Sequence, residues 1–401
     1  MSKAKAPVYT VLGGAGAMGS ITVRDLCETT PADSKIIIAD YNLEKAQALA
    51  AGHKRVKAVQ VNIHEPETLL KTLKGTTVLL NSLRHDYNLT VMELALKLGA
   101  HYTDLGGLFH MTRRQVELHD RFEAAGLTAV VCMGAAPGIT NLLAAQAAAQ
   151  MEHVHGIHVR LAAVDKTRYR QRQILPVSYS FKTIIEEFSL EPAIFTRGRY
   201  RFLKPMSGLE PYRFPAPVGL QYPMYTLHSE ICTLAESYRA KGVQEVSFKI
   251  AFPLEFVEKV RFLRDLGLAD HAPVHFPDGS AVAPIDLVNH VVMHQPQPEA
   301  QGELRQHEVL RTIVQGVEQG KRVTRIHDLY TSGMPQWGIG TDIDTGTPPS
   351  VVAQMLVSGQ VQRRGVLAPE QAVPVEPFFA ALEQRGMYTR SQCKRGWQVP
   401  L

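Results

Sequence analysis

A short glycine-rich segment constrains this chain more than any other sequence feature. The stretch VYTVLGGAGAMG places Gly14, Gly16 and Gly19 in a G-x-G-x-x-G arrangement between an apolar strand and a helical pattern. Gly14 permits a tight turn, Gly16 lets the backbone approach a pyrophosphate, and Gly19 lets the helix pack closely on the strand. The helix start, with Ala17 and Met18, offers free N–H groups and partial positive charge to phosphates. The arrangement predicts a dinucleotide-binding loop, although glycines alone would also suit an ordinary strand-to-helix connection.

An acidic residue at the end of the second predicted strand supports this interpretation. Asp40 lies 21 residues beyond Gly19, where a carboxylate can accept hydrogen bonds from both ribose hydroxyls. We expect Asp40 and the following Tyr41 to contact the cofactor. The carboxylate would repel a 2′-phosphate, so NAD is predicted in preference to NADP. NADP stays possible because Lys45 or Arg24 could contact a phosphate.

Two further predicted strands end in polar residues that point into the same crevice. Asn62 follows the third strand and is expected near the adenine, although simple loop capping explains it equally well. Asn81, Ser82 and Leu83 follow the fourth strand and are expected toward the nicotinamide. These residues extend the predicted cofactor site across the sheet.

The overall pattern predicts an α/β fold. From Val8 to about Cys132, β-branched runs alternate with amphipathic stretches, which indicates a doubly wound parallel sheet, a Rossmann domain, over residues 1–134. Residues 135–340 are predicted to form an α+β substrate and dimerisation domain with a mixed or antiparallel sheet. The C-terminal segments predicted there and beyond are a hairpin of Glu308–Val314 and Arg322–Tyr330 around Gly316 and Gly320, a helix starting at Thr347, a loop Arg364–Pro369 and a last helix Pro377–Gln384.

Composition excludes several other classes of protein. The net charge of +5, from 43 basic and 38 acidic residues, is too small to indicate nucleic-acid binding. The four cysteines are far apart and have no histidine at zinc-like spacing, so no metal site is predicted. The charge-free run from Leu127 to Met151 is interrupted by Gly134, Pro137 and Gly138, so a buried strand, turn and helix are predicted rather than a membrane span. A soluble, cytoplasmic protein is expected.

Two stretches resemble the saccharopine dehydrogenase superfamily, especially its lysine 6-dehydrogenase branch. One starts at Asp104 and reads DLGGLFHMTRRQVELHDRFEAAGLTAVVCMGAAPGITNLLA, and the other reads TGTPPSVVAQMLVSGQVQRRGVLAPEQAVPVEPFFAALEQRG. The resemblance implies a homodimer and C-terminal helices, within residues 341–401, that return to the Rossmann domain. It also implies reversible hydride transfer between a nicotinamide and an amine or imine carbon of a lysine-like or saccharopine-like amino acid. Phe252 stands where relatives often carry an arginine for a substrate carboxylate.

Hydride removal from a C–N bond also needs a group that handles a proton near neutral pH. Asp104 ends a predicted strand at the crevice and could orient an amine or a water. A carboxylate bonded to the amides of Gly106 and Gly107 is an equally good interpretation. In the run LHSE, His228 and Glu230 are candidates for substrate contact and proton transfer.

Other interpretations of these residues stay open. The LHSE run also suits a helix start capped by Ser229. His110 and Lys249 are weaker catalytic candidates. Tyr200 and Lys204 have the Tyr-x-x-x-Lys spacing of short-chain dehydrogenases, but their segment resembles a strand, in which the two side chains lie roughly 13 Å apart. The competing functions are an imine reductase of the carboxynorspermidine type, a non-enzymatic NAD-binding redox sensor and an extended short-chain dehydrogenase.

Overall fold

The structure, a computed structural model, describes residues 6–171, 173–177, 179–296 and 298–397. The predicted domain limits at residues 1 and 401 lie outside these ranges, and the division into domains stays a prediction. The N-terminal part consists of β1 Val8–Leu12, α1 Ala17–Thr29, β2 Lys35–Asp40, α2 Leu43–Ala50, β3 Val56–Gln60, α3 Pro66–Thr72, β4 Val78–Asn81, α4 Asn88–Leu98, β5 His101–Asp104, α5 Phe109–Val116, α6 His119–Ala124, β6 Thr128–Val130 and α7 Ile139–Ala148.

The middle part is richer in strands. Its elements are β7 His153–Asp165, α8 Phe181–Ser189, β8 Ala193–Thr196, β9 Arg199–Phe202, β10 Tyr212–Arg213, β11 Leu220–Gln221, β12 Met224–Tyr225, α9 Glu230–Ser237, β13 Glu245–Ala251, α10 Leu254–Asp265, β14 Val274–His275, β15 Ala281–Val282, α11 Pro284–Met293, β16 Gln306–Glu318 and β17 Lys321–Thr331. The C-terminal part consists of α12 Ile343–Gly346, α13 Pro348–Val357, β18 Gly365–Leu367, α14 Pro369–Ala372, α15 Val375–Glu383 and β19 Tyr388–Arg395.

The first sheet is parallel throughout and confirms the predicted α/β class. Its strand order is β18-β6-β5-β4-β1-β2-β3. Every residue of β4 and of β6 is buried, as expected where helices cover both faces of a parallel sheet. The chain leaves β1 toward β2 on one side and β4 lies on the other, so a crevice opens at the carboxyl ends of β1 and β4.

The seventh strand of this sheet corrects a prediction made from the sequence. Arg364–Pro369 was predicted as a loop, but Gly365–Leu367 form β18, which pairs in parallel with β6 from Gly365 opposite Thr128 to Leu367 opposite Val130. Three residues are too few for strand periodicity to be visible in the sequence. Gly365 has a φ of +102°, and a Cβ there would lie 2.5 Å from the His119 ring. The C-terminal part therefore completes the N-terminal sheet.

The second sheet is mixed, which confirms the predicted second α+β unit. Its order is β19-β17-β16-β7-β13-β8-β9, with β12 added on β13. The predicted hairpin is present as β16 and β17, which pair from Glu308 opposite Thr331 to Glu318 opposite Lys321. The turn falls at Gln319 and Gly320, while Gly316 lies within β16. Only β7 and β13 pair in parallel.

One hydrophobic core joins the two sheets. It contains Val11 and Ile38 of the first sheet, Leu142 of α7, and Val159 and Leu310 of the second sheet. In addition, α12 and α13 pack on α1. The two sheets are therefore held at a fixed seam, along which the candidate site lies. Within the described ranges, no helix is both long and apolar enough to cross a bilayer.

A buried ion pair holds the C-terminal part on α1. Arg385 donates from Nε to Asp25 Oδ1 at 2.6 Å and from Nη2 to Asp25 Oδ2 at 2.8 Å. The Asp25 side chain is 0% exposed and that of Arg385 is 6% exposed. Removing one partner from such a pair leaves a buried charge uncompensated.

We predict that Asp25→Leu lowers the free energy of unfolding by about 3 to 5 kcal/mol, because Arg385 loses its counter-charge in a buried site. The double variant Asp25→Leu/Arg385→Met should lose less than the single variant. Glu93→Ala removes the exposed ion pair with Arg121 and should cost at most about 1 kcal/mol. Urea denaturation followed by circular dichroism measures the stability of all three variants. Equal losses for Asp25→Leu and Glu93→Ala would show that the buried ion pair matters no more than the exposed one.

Candidate active site

The glycine loop forms a cradle at the start of α1. A Cβ at Gly19 would lie 2.2 Å from the carbonyl oxygen of Gly13, and one at Gly16 would lie 3.2 Å from the same oxygen. The tight turn predicted at Gly14 falls instead on Gly13, which has a φ of +76°. Gly14 is required for a different reason, because a Cβ there would lie 3.0 Å from both the Ile38 side chain and a backbone oxygen. The cradle therefore depends on the absence of side chains at these positions.

Asp40 lies directly beside this cradle, as the sequence predicted. Its Oδ2 accepts a hydrogen bond from the amide of Ala15 at 2.8 Å, and its Oδ1 accepts one from the amide of Asn42 at 2.9 Å. The adjacent Tyr41 side chain is 75% exposed. The N-cap of α1 is Gly16, which has no side chain to satisfy the first amides of the helix. Small residues, free amides and an acid at the strand end therefore fit a dinucleotide.

The predicted residues after β3 and β4 fall into two groups. Asn62 uses its side chain locally, since its Oδ1 accepts from the amide of His64 at 3.1 Å and its Nδ2 donates to Glu65 at 3.1 Å. Asn81 is buried and bonds to Asn88, Tyr102 and the amide of Leu83. Neither asparagine lines the cavity described next, whereas Ser82 and Leu83 do. Ser82 Oγ is buried and has no partner among the described residues.

A cavity of about 490 Å³ lies where the two sheets meet. The first sheet contributes Ala17 and Met18 from α1, residues 82–85 after β4 and residues 105–108 after β5. The turn with the cis peptide bond between Ala136 and Pro137 closes one wall. The second sheet contributes the opposite walls, among them Leu161, Ile250 and Phe252. The cavity therefore extends from the dinucleotide cradle to the second sheet.

His228 and Glu230 form a buried pair at the wall of this cavity. His228 Nδ1 lies 2.6 Å from Glu230 Oε2, and Glu230 Oε1 accepts from Thr140 Oγ1 at 2.9 Å. The His228 ring stacks on Phe248 with centroids 3.8 Å apart. Burial lowers the pKa of His228, but the Glu230 carboxylate outweighs burial and holds the pKa above its ordinary value. The pair can therefore hold a proton near neutral pH, with the remaining ring nitrogen, Nε2, available to a substrate.

The alternative prediction for the LHSE run, a helix start capped by Ser229, is only partly met. Ser229 stands at the N-cap of α9 but makes no capping hydrogen bond. Its hydroxyl instead accepts from Thr112 Oγ1 at 3.0 Å.

A further carboxyl group, Glu187, faces the same cavity. Its side chain is 4% exposed, and its Oε2 has no hydrogen-bond partner within the described part of the chain. Burial raises the pKa of Glu187 to about 7, and the neighbouring Glu230 adds to this effect while His228 opposes it. Glu187 is therefore a buried acid without a partner, next to the proton-holding pair.

Three more acids lie at another wall of the cavity: Glu308, Asp342 and Asp344. Burial, with the charge of Asp342, raises the pKa of Glu308 to about 7, and burial together with Glu308 raises the pKa of Asp344. Among the described lining residues there is one arginine, Arg84, which pairs with Asp86 and Glu186. Acidic side chains therefore predominate among the described charged residues of the cavity wall.

These acids and Arg84 are not among the site residues predicted from the sequence. Arg84 directly follows the predicted Asn81–Leu83 segment, so its position was a usable signal. Glu187 lies in a helix and Glu308 in a hairpin strand, and neither has a local pattern that indicates a pocket. Their convergence depends on how the two sheets pack.

Asp104 requires a correction, because its position does not support a catalytic role. Its Oδ1 accepts from the amides of Gly106 and Cys132, both at 2.8 Å, and its Oδ2 accepts from Tyr102 at 2.9 Å and Gln115 at 2.6 Å. These four bonds occupy both carboxylate oxygens, and Asp104 is not among the residues that line the cavity. The alternative of a carboxylate held by backbone amides is therefore the better one, with Gly106 but not Gly107 as donor.

The weaker candidates lie elsewhere. His110 is exposed and stacks on Phe202, and Lys249 pairs with Glu210 at 2.6 Å, outside this cavity. Tyr200 lies in strand β9, as predicted, and donates from its hydroxyl to Glu236 at 3.0 Å. Its spacing with Lys204 therefore does not create the helical Tyr-Lys pair of a short-chain dehydrogenase.

Comparison with known protein families agrees with this geometry. The profile described as Saccharopine dehydrogenase NADP binding domain matches residues 10–130, and that described as Saccharopine dehydrogenase C-terminal domain matches residues 134–387. The two matches together span most of both sheets and stop before β19.

Individual proteins that resemble the chain over nearly its whole length add detail. A carboxyaminopropylagmatine dehydrogenase from Synechocystis is 24% identical, with 93% of this chain and 95% of that protein covered. A carboxynorspermidine synthase from Vibrio cholerae is 22% identical, with 96% and 95% covered. The structure of the L-Glu-forming saccharopine dehydrogenase from Saccharomyces cerevisiae has a TM-score of 0.71 at 16% identity, with 97% of this chain and 100% of that chain covered. This last likeness supports the fold.

We predict that Gly19→Ala weakens dinucleotide binding by on the order of tenfold or more, because its methyl group would collide with the Gly13 carbonyl and displace α1. Isothermal titration calorimetry with NAD and NADP measures the effect. Ser20→Ala, on the exposed side of the same turn, is the matched control and should bind normally. Unchanged affinity in a folded Gly19→Ala protein would refute the cradle.

The raised pKa of Glu187 predicts a pH-dependent stability. Between its unfolded value of 4.5 and its folded value of about 7, the folded state holds the proton and the unfolded state does not, so stability falls as pH rises. The wild type should therefore lose stability relative to Glu187→Gln from about pH 4.5 to about pH 7, with no further relative change above that. Urea denaturation at several pH values measures the difference, with the exposed Glu191→Gln as control. A pH-independent difference between wild type and Glu187→Gln would show that the pKa is not raised.

Proposed function

This chain belongs to the saccharopine dehydrogenase family and is an NAD(P)-binding oxidoreductase of that family, and we propose that it acts on a polyamine-type substrate. The proposed reaction is reversible hydride transfer at a C–N bond between a carboxyalkyl group and an amine that carries at least one further cationic nitrogen. The observation that carries this proposal is the group of four carboxyl side chains in the cavity, Glu187, Glu308, Asp342 and Asp344.

The charges of the cavity wall favour a substrate with more than one positive charge. Glu187 lies beside the His228–Glu230 pair, whereas Glu308, Asp342 and Asp344 form a separate cluster. Tyr179 also lines the cavity, and burial together with the charges of Glu187 and Glu308 raises the pKa of its hydroxyl. Buried carboxyl groups are costly to ionise alone, and a cationic ligand removes that cost. Two separated acidic positions thus suit two cationic nitrogens of an extended amine.

This arrangement supports one of the expected substrate classes over the other. A saccharopine-like compound has more carboxylates than ammonium groups and would be repelled by the acidic walls. A carboxylated polyamine has more ammonium groups than carboxylates. Arg84, which follows β4 and lines the cavity, would have to share its ion pairs with Asp86 and Glu186 to hold the single carboxylate, a role for which Phe252 is unsuited. The names of the two full-length relatives, a carboxyaminopropylagmatine dehydrogenase and a carboxynorspermidine synthase, agree with this choice.

The residues around the cavity suggest how the chain supports hydride transfer. The nicotinamide, when bound, accepts or supplies the hydride. In the reducing direction, His228 holds a proton on Nε2 and delivers it to the substrate nitrogen, and in the oxidising direction it takes that proton back. Glu230 fixes the tautomer through Nδ1, and Phe248 fixes the ring plane. Glu187 anchors a cationic nitrogen nearby.

For the cofactor we propose NAD, with NADP as the alternative. The Asp40 carboxylate lies beside the glycine loop at the end of β2, and an acidic residue at this position disfavours a 2′-phosphate through like-charge repulsion. The description of the matching N-terminal family profile, however, refers to NADP. The homodimer, the cytoplasmic location and the kinship with the lysine 6-dehydrogenase branch stay predictions from the sequence.

The competing functional classes lack comparable support. A redox sensor that only binds NAD needs no polar pocket beyond the cradle, yet a proton-holding pair and four acids line the cavity. A short-chain dehydrogenase needs Tyr200 and Lys204 on one helix, and Tyr200 lies in a strand.

We predict that the chain oxidises carboxynorspermidine or carboxyaminopropylagmatine with a kcat/KM at least about tenfold above that for L-lysine or saccharopine, because one retained charge-assisted contact is worth about that much. Nicotinamide absorbance with NAD and with NADP measures turnover. His228→Gln should lower kcat by about 10²- to 10⁴-fold without changing dinucleotide affinity. His110→Gln, outside the cavity, is the matched control and should behave as wild type.

Two results would contradict the proposal in different ways. Faster turnover of saccharopine or lysine would refute the polyamine-type substrate while leaving the oxidoreductase intact. Tight dinucleotide binding without turnover of any of these compounds would favour the redox sensor.

A further inference from the structure

A second cavity, of about 240 Å³, lies on the opposite face of the second sheet. Side chains alternate between the two faces of a strand, so Leu161 of β7 and Ile250 of β13 face the candidate active site. Their neighbours Arg160 and Lys249 face the second cavity, which is covered by the segment 204–225. The sheet therefore separates the two cavities, and the second one is independent of the proposed function.

Arg160 is the most unusual residue of this cavity. It is 4% exposed, and its Nη1 donates to the carbonyl of Val159 at 2.9 Å and to Ser247 Oγ at 3.3 Å. Its Nε is buried and has no partner, and no described carboxylate lies within ion-pair distance of its guanidinium. A buried guanidinium is always charged, and Glu210 acts on that of Arg160 only from beyond ion-pair distance, so Arg160 lacks a directly paired anion among the described residues.

The other charged residues of the cavity do not provide a paired anion for Arg160. Lys249 donates to Glu210 at 2.6 Å and to the carbonyl of Gly208 at 2.7 Å, so these two side chains satisfy each other. Burial and Arg160 lower the pKa of His158 to about 3, so this imidazole is neutral. The half-buried Glu245 also lines the cavity and has no ion pair among the described residues. One cation, Arg160, and one anion, Glu245, are left over.

The distance between Arg160 and Glu245 indicates what kind of ligand could contact both. Ser247, which holds the guanidinium, and Glu245 are two residues apart on one face of β13, or roughly 7 Å. A ligand that carries a carboxylate and an ammonium group close together can contact both at hydrogen-bond distance. The volume is below the roughly 300 to 1,000 Å³ of drug-sized sites, so the ligand is small. We propose that this cavity binds a free α-amino acid, with its carboxylate on Arg160 and Ser247 and its ammonium group on Glu245.

The test is calorimetry of the full chain with the standard L-amino acids, without dinucleotide. At least one amino acid should bind, and its N-acetyl and carboxamide derivatives, each lacking one charge, should bind at least about tenfold more weakly. Arg160→Gln and Glu245→Gln should each cause a similar loss. Arg201→Gln, on exposed β9, is the control and should bind as wild type. If Arg160→Gln fails to fold, Ser247→Ala and Glu245→Gln provide the same test.

Several outcomes would overturn the proposal. These are no binding of any amino acid to folded wild type, equal binding of the derivatives, or unchanged binding in Glu245→Gln. Binding that is lost in Glu187→Gln but kept in Glu245→Gln would assign the amino acid to the active-site cavity instead. Turnover without added amino acid, measured separately for Glu245→Gln, should stay at the wild-type level, so failure here does not affect the proposed function.

Discussion

The close backbone approach at the start of α1 is the constraint on which the rest of the structure depends. Because Gly19 lacks a Cβ, α1 lies against the Gly13 turn and its first residues reach the cavity wall. The same helix receives the C-terminal part at Gly346, where a Cβ would lie 2.5 Å from Ile21, and Thr22 donates to the Gly346 carbonyl at 2.6 Å. The position of α1 thus determines both the cofactor cradle and the seam between the sheets.

At the seam between the two sheets, several carboxyl groups line one cavity, where a cation could bind. Glu187 and Glu308 come from different elements, a helix and a hairpin strand, and both are buried where the sheets meet. Burial raises their pKa values to about 7, which makes their ionisation sensitive to a ligand at neutral pH. In the proposed function, a cationic substrate provides the missing counter-charge, so that substrate binding and ionisation of these acids favour each other.

The sequence predicts those features that have a local signal. The glycine loop, Asp40 and the strand–helix alternation all follow from neighbouring residues, and the hairpin follows from two β-branched runs around a glycine. Strand β18 was not predicted because three residues are too few to show the alternating pattern of a strand. The catalytic role predicted for Asp104 was wrong for a related reason. The sequence around a carboxylate at a strand end does not show whether the side chain faces a crevice or, as here, accepts a hydrogen bond from a distant residue such as Gln115. The acidic cavity depends on non-local packing, which no single segment shows.

The central claim is that the nicotinamide lies at the seam, between the glycine loop and the His228–Glu230 pair. A crystal structure of the full chain with oxidised dinucleotide tests this most directly. The account predicts the pyrophosphate over Gly16 and the nicotinamide ring inside the large cavity, between Leu83 and His228. A nicotinamide ring outside this cavity, or on the far side of the second sheet, would contradict it.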